Sequence, residues 1–363
     1  VCGTGIAPKA KVAGIRLIDG DITDTEEAKA LSHALNLVDI YSSSWGPMDD
    51  GQTVEGPGKR TLAALQRGVR DGRDGLGAVY LFASGNGQNI DDCNCDGYAN
   101  SVYTLSIGAV DSNHNQPWYS ESCSAMIAVT YSSGEDNEPG ISTIDVGGEC
   151  TDEHSGTSAA TPLAAGIISL VLSANPLLTW RDIQHLIVET ATKVNEDDLS
   201  WSLNGASHLV SHKYGFGLLN AGAMVRAGLL WNSVGSLEVS TVNGGPQMSS
   251  IDPQAGRQIL EIADSKNAEL GLMEYANFAR SDESHGECCI DRLSIIENTL
   301  DSVACLYAKS LTVLIVTASA PQNTIGVDSI ETVAVTLTIL HECRGDLEII
   351  IYSPMGSRCV LES

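Results

Sequence analysis

Between Val1 and about Trp231, short runs of β-branched residues alternate with longer amphipathic or apolar stretches. The period-2 runs predict strands over 11–17, 39–43, 78–83, 103–110 and 126–130, and the helical spacing predicts helices over 24–37, 60–69, 157–174 and 180–190. Strands and helices in alternation imply an α/β fold, a parallel sheet with helices on both faces. In such sheets the reactive groups gather at the carboxyl ends of the strands. After Trp231 the pattern changes. Gly244-Gly245-Pro246 reads as a linker, and 247–309 has mixed polarity without a period and receives no assignment. Alternation returns over 311–318, 330–340 and 347–352, separated by Pro321-Gln322-Asn323 and Arg344-Gly345-Asp346 turns, which predicts an antiparallel all-β piece.

Charge narrows the partners. Lys and Arg total 20 against 46 Asp and Glu, a formal charge of −26, which repels phosphate backbones and anionic membranes and favours cationic partners or metal ions. Nucleic acid is therefore not expected as a partner. The apolar fraction of 43% with 18% charged residues argues for a folded chain, and the longest apolar stretch, 162–172, is too short to span a bilayer. No membrane contact is expected from this chain. The ten cysteines occur singly or as Cys93-x-Cys95 and Cys288-Cys289, without paired CxxC spacing, which favours an oxidising compartment over a zinc site. The opening Val1-Cys2-Gly3 has no initiator Met or signal peptide, and the close at Ser363 follows directly on a strand-like run, so a fragment at both ends is expected.

Two stretches carry chemistry. His154-Ser155-Gly156-Thr157-Ser158-Ala159-Ala160-Thr161-Pro162 precedes an apolar helical run and puts the Ser158 hydroxyl at or near a helix N-terminus. Ser158 is there either an N-cap or a nucleophile. Ala83-Ser84-Gly85-Asn86-Gly87 follows a predicted strand, and its glycines allow a sharp turn that projects the Asn86 amide at the sheet edge. Asn86 is either an ordinary turn residue or the neutral donor for an oxyanion.

Together these stretches resemble the subtilisin-like serine proteases. Ser44-Trp45-Gly46-Pro47, Asp49-Asp50-Gly51, Cys93-Asn94-Cys95-Asp96-Gly97-Tyr98, Leu178-Thr179-Trp180-Arg181-Asp182 and Gly215-Phe216-Gly217-Leu218-Leu219-Asn220-Ala221 are similar to the kexin and furin branch, the proprotein convertases. The run 98–110 looks closest to the type-seven convertases. The resemblance covers residues 1 to about 231 and resumes near 330. It implies a subtilisin-like catalytic domain over 1–234 lacking its N-terminal portion, a linker or insertion over 235–310, and a partial β-rich P domain over 311–363. It implies Ser158 as nucleophile and Asn86 as oxyanion donor, in a serine endopeptidase that cuts precursor proteins after paired basic residues. The family's triad Asp and His belong to motifs upstream of Val1, so this chain alone is expected to be nearly inert. His154 is expected only to pack or hydrogen-bond. A catalytically dead, calcium-stabilised binding or decoy module for basic peptides remains the alternative. An α/β-hydrolase elbow is excluded, because no Gly-x-Ser-x-Gly surrounds Ser158.

The resemblance also assigns the acidic residues. Ser44, Trp45 and Gly46 line the substrate cleft, Asp49 and Asp96 the pocket for the basic residue before the cut, and Glu27 and Glu55 meet the basic residue three positions further back. Bidentate carboxylate–guanidinium contacts suit that task. Met48 replaces an acidic residue of relatives, which either weakens recognition of distant basic residues or is a neutral surface change. Asp49, Asp91 and Glu121 map to a calcium site, with a solvated acidic rim as the alternative. A second calcium loop retains only the Val1 and Gly3 carbonyls. The implied disulfides are Cys2 with Cys150 and Cys93 with Cys123, leaving Cys95 a buried thiol. Basic precursors and, in the full-length protein, its own propeptide are the implied partners. The implied location is the secretory pathway, from Golgi to endosome or cell exterior, with an anchor elsewhere in the full-length protein left open.

Overall fold

The computed structural model describes residues 2–134, 138–204, 206–235 and 237, together with the backbone of four later strands. The chain divides into two compact units, Val1–Asp50 with Glu55–Ser236, and Gly51–Val54 with Leu237–Ser363. In the first unit β1 (Ile40–Ser43), β2 (Val79–Ala83), β3 (Leu105–Val110) and β4 (Met126–Tyr131) form a parallel sheet in chain order. Its helices are α1 (Asp24–Leu31), α2 (Lys59–Asp71), α3 (Thr157–Ala174), α4 (Trp180–Thr190) and α5 (Ala221–Gly228).

Strand β2 explains the layering. Its side chains alternate between faces, yet Val79, Tyr80, Leu81 and Phe82 are all buried. Val79 and Leu81 pack with Ala164, Ile168 and Val171 of α3, whereas Tyr80 and Phe82 pack with Leu65 and Val69 of α2 and Leu31 of α1. The sheet is therefore covered on both sides, as a parallel sheet requires. Helix α3 is apolar for its whole length because it lies across β1 to β4 and beside α5.

Local chemistry sets the helix starts. Thr23 and Glu26 form a capping box on α1, and Thr179 with Asp182 forms one on α4. The α2 N-cap is Gly58, which has no side chain to cap with; Asp24 of α1 instead accepts the Arg60 and Thr61 amides at 3.0 and 2.9 Å. The 215–219 motif runs beside β4, with the Leu219 amide donating to Val129 O at 3.0 Å, and Asn220 then caps α5.

Several expectations are corrected. Residues 11–17 form no strand: the segment is largely exposed, Val12 to 93%, and no described strand takes its ladder bonds. Helix α1 stops at Leu31, six residues early, because Ser32 ends the ladder and Ala34 takes a left-handed φ of 55°. Five elements of this unit were not foreseen. Helix α5 is short, and the β5 (Ile141–Ile144) and β6 (Cys150–His154) hairpin buries no residue fully, so it has no apolar core face. The β7 (Ser202–Leu203) and β8 (Leu209–Val210) pair is two residues long.

In the second unit β9 (Gln258–Leu260), β10 (Met273–Asn277), β11 (Leu347–Tyr352) and β12 (Arg358–Glu362) form an antiparallel sheet, ordered β12-β11-β10-β9. Strand β11 occupies the predicted 347–352, while β9 and β10 fall in the stretch left without assignment. The predicted strands at 311–318 and 330–340, and the Arg344-Gly345-Asp346 turn, lie outside the described residues.

One buried cation ties the connections on the side of the sheet remote from the strand ends. Arg73 donates to the carbonyls of Gly77, Leu178 and Pro176 at 3.2, 2.9 and 3.1 Å and pairs with Asp39 at 3.3 Å. It joins the turn after α2 to the turn between α3 and α4. Replacing Arg73 with Ala strips three carbonyls of a charged donor and is expected to cost roughly 3 kcal/mol, read as a lower urea midpoint. Arg73→Lys should recover only part of it, because one ammonium does not span three carbonyls.

Candidate active site and acidic cluster

Three strand ends meet the start of α3. Gly156, with φ of 87°, is the N-cap, so Ser158 is the second helical residue and makes no capping bond. The N-cap reading of Ser158 therefore does not describe the fold. Ser158 is half-buried, and its hydroxyl makes no hydrogen bond among the described residues. Its backbone carbonyl accepts the Ser44 hydroxyl at 3.0 Å.

Asn86, beyond the end of β2, is held against the residue before Ser158. Its Oδ1 accepts the Thr157 amide at 2.9 Å and lies 3.1 Å from the Thr157 hydroxyl, which is also 3.1 Å from Gly85 O. The Thr157 donor assigns the carboxamide orientation, oxygen toward α3 and nitrogen away from it. The Asn86 backbone N–H donates to Asp49 Oδ2 at 2.8 Å.

Asp49, Asp96 and Glu121 bring one carboxylate oxygen each within 4.8 Å of one another. Asp91 borders them, since a Cβ built on Gly87 would stand 2.5 Å from Asp91 Cβ and 3.3 Å from Asp49 Cβ. Glu121, Asp91 and Asp96 are buried, and Asp49 is the exposed member. A solvated rim is thus not what the fold builds. Burial first, and then the charges of Asp96, Asp91 and Asp49, push the Glu121 carboxyl up to about 9, against the Gly87 N–H donated to its Oε1 at 2.8 Å. Burial likewise raises Asp49, opposed by its Asn86 bonds. Glu121 Oε2 is buried without a partner. An all-oxygen pocket with an unmatched carboxylate oxygen suits a hard divalent cation. The structure adds Asp96 to the three residues that sequence reasoning gave to a cation.

The remaining cleft residues are dispersed. Trp45 packs edge-on to Phe82 and Tyr98, at 5.5 and 5.0 Å between ring centres. Glu27 is buried, accepting the Tyr98 hydroxyl at 2.6 Å and the Thr61 hydroxyl at 2.9 Å. Glu55 is exposed, and its carbonyl accepts the Gly97 amide at 2.8 Å beside Asp96. Gly46 is exposed, as is Met48, to 68%. His154 ends β6 opposite Ile141, its side chain exposed and without a hydrogen bond among the described residues, so that side chain neither packs nor hydrogen-bonds as expected. Disulfides join Cys2 to Cys150 and Cys93 to Cys123, and Cys95 is a buried thiol outside both. Sequence reasoning assigned no role to Thr157 or Tyr98, although both stand in the quoted motifs and their hydroxyls were the available signal.

Gly85 leaves no room for a side chain. It has φ of 108°, and a Cβ there would stand 2.2 Å from Glu121 Oε1. Gly85→Ala is expected to cost about 2 kcal/mol in thermal denaturation and to weaken divalent-cation binding in calorimetry by displacing Glu121.

The family model described as Subtilase family matches residues 1–217, and that for the Proprotein convertase P-domain matches residues 330–363. Furin-1 of Xenopus laevis is 41% identical over 367 residues, covering 99% of this chain and 39% of the relative. Furin of Homo sapiens is 52% identical over 235 residues, 64% of this chain and 30% of the relative. Proprotein convertase subtilisin/kexin type 5 of Rattus norvegicus is 47% identical over 279 residues, 76% of this chain and 15% of the relative. The chain thus spans at most 39% of the length of these curated relatives. Among solved structures, the serine protease of Aeromonas sobria superposes with a TM-score of 0.65 at 18% identity, over 99% of this chain and 63% of that one, a likeness of fold.

Proposed function

The chain belongs to the subtilase family, in its proprotein convertase branch, and from that premise we propose that Ser158 is the nucleophile of a calcium-dependent serine endopeptidase cutting precursor proteins after paired basic residues. The observation that carries this reading is the 2.9 Å bond from the Thr157 amide to Asn86 Oδ1, which couples the oxyanion-donor candidate to the residue beside Ser158. Ser158 Oγ attacks the scissile carbonyl carbon, its proton passes to a base, and the oxyanion is held by the Ser158 backbone N–H and the Asn86 amide. Collapse of that intermediate returns the proton to the departing amine, and water then releases the acyl group.

In this reading the base and its orienting carboxylate come from residues beyond this sequence, since the Ser158 hydroxyl meets no histidine among the described residues. This chain alone is then inactive. Asp49 and Asp96 face the first basic side chain, and Glu55 the one three positions back; Glu27, bonded to Tyr98 and Thr61, stiffens that wall. Asp49, Asp91, Asp96 and Glu121 would hold a calcium ion, whose charge would offset carboxylates that otherwise repel one another, an electrostatic and structural contribution. Residues 1–234 form a catalytic domain lacking its N-terminal portion, and 311–363 part of a P domain. The disulfides suit the secretory pathway, where basic precursors and the enzyme's own propeptide are the partners.

The complete gene product, assayed on a fluorogenic peptide with Lys-Arg before the reporter, is expected to cleave after the pair. Activity should fall about 10³-fold or more in Ser158→Ala, vanish with a chelator and return with calcium. Tight binding of the same peptide without cleavage would instead support the decoy module.

A further inference from the structure

A helix carbonyl is normally bonded by the N–H four residues on, and Pro162 has none. The carbonyl it deprives belongs to Ser158. The Ser44 hydroxyl, in the residue directly after β1, donates to that carbonyl at 3.0 Å. Other hydroxyls also reach the first turns of α3, from Ser132 to Gly156 O at 2.9 Å, Thr161 to Thr157 O at 2.9 Å and Thr130 to Ala160 O at 2.6 Å. None of those three carbonyls is one that Pro162 leaves without its ladder donor. Ser44 alone supplies a bond that the helix lacks.

We propose that Ser44 is a positioning residue for the nucleophile: its hydroxyl replaces the ladder donor removed by Pro162 and fixes the Ser158 backbone to the end of β1. The pairing resolves a competition of requirements. A helix that bonded its own Ser158 carbonyl would set the nucleophile by helix geometry alone, whereas the Pro162 gap hands that carbonyl to the sheet. The same β1 terminus carries Ser44-Trp45-Gly46, which the resemblance to the convertases assigns to the substrate cleft, so nucleophile and cleft edge share one anchor. Ser44 is exposed, and water can hydrate the carbonyl once the hydroxyl is gone. Its loss therefore changes orientation more than stability.

The inference rests on Ser158 being the nucleophile, and the test separates the two. In the complete gene product, Ser44→Ala is expected to lower kcat about tenfold with little change in KM or thermal midpoint, and Ser44→Thr should recover most of it. Pro162→Ala restores a backbone donor to Ser158 O, so Ser44→Ala made in that background should cost less than threefold. Equal losses in both backgrounds, or a kcat unchanged by Ser44→Ala while Ser158→Ala abolishes cleavage, overturns the positioning role. Cleavage that survives Ser158→Ala instead overturns the nucleophile assignment.

Discussion

The bond between the Thr157 amide and Asn86 Oδ1 is the contact on which the candidate site depends, because it joins two segments 71 residues apart, the turn that carries Asn86 and the helix start that carries Ser158. Neither segment sets its own geometry. Asn86 leaves β2 through Gly85, in a conformation and a space closed to any Cβ, and α3 begins at Gly156 with a left-handed backbone. With both turns fixed, the Thr157 amide, one of the first N–H groups of α3 that lack a helical acceptor, finds one in the Asn86 side chain. The orphan donor of the helix thereby does the work of orienting the carboxamide.

The acidic cluster shows the opposite kind of constraint, an arrangement the fold imposes at a cost. Glu121 is fully buried beside Asp49, Asp91 and Asp96, and the backbone offers it only the Gly87 amide. Four carboxylates in one place do not stay ionised together without a positive charge. Asp49 links this cluster to the Gly85-Asn86 turn through its bond from the Asn86 backbone N–H, so a change of charge among the carboxylates bears on the loop that carries Asn86.

Much of the α/β unit was legible because its signals were local. The hydrophobic runs of β2, β3 and β4 are buried on both faces and bounded by turns, so strands were recognisable to within two residues. Helices α3 and α4 kept their predicted limits, since Gly156 and the Thr179–Asp182 box act within one turn of sequence. The failures are tertiary. The 11–17 run has a strand's pattern, but pattern does not supply a neighbour to bond. The β5–β6 hairpin has no buried face to print an alternation. At the site, residue types and turns pointed to Ser158 and Asn86, whereas the role of Asp96 beside Glu121 and the partners of Glu27 depend on segments far apart in sequence.

Pro162 sharpens this contrast. Read along the chain, a proline six residues into a helix is a defect that removes a ladder bond. In the folded unit the same defect falls one turn beyond Ser158 and opposite the end of β1, where Ser44 supplies the missing donor. The sheet edge thus acquires a direct hold on the Ser158 backbone, which an unbroken helix would have kept to itself. The breaks in regular structure around Ser158, at Gly85, Gly156 and Pro162, each free or create a polar group, and in each case the group is satisfied across elements rather than within one. That exchange of local for tertiary bonding is how the Ser158 hydroxyl on α3, the Asn86 carboxamide beyond β2 and the end of β1 come to share one frame.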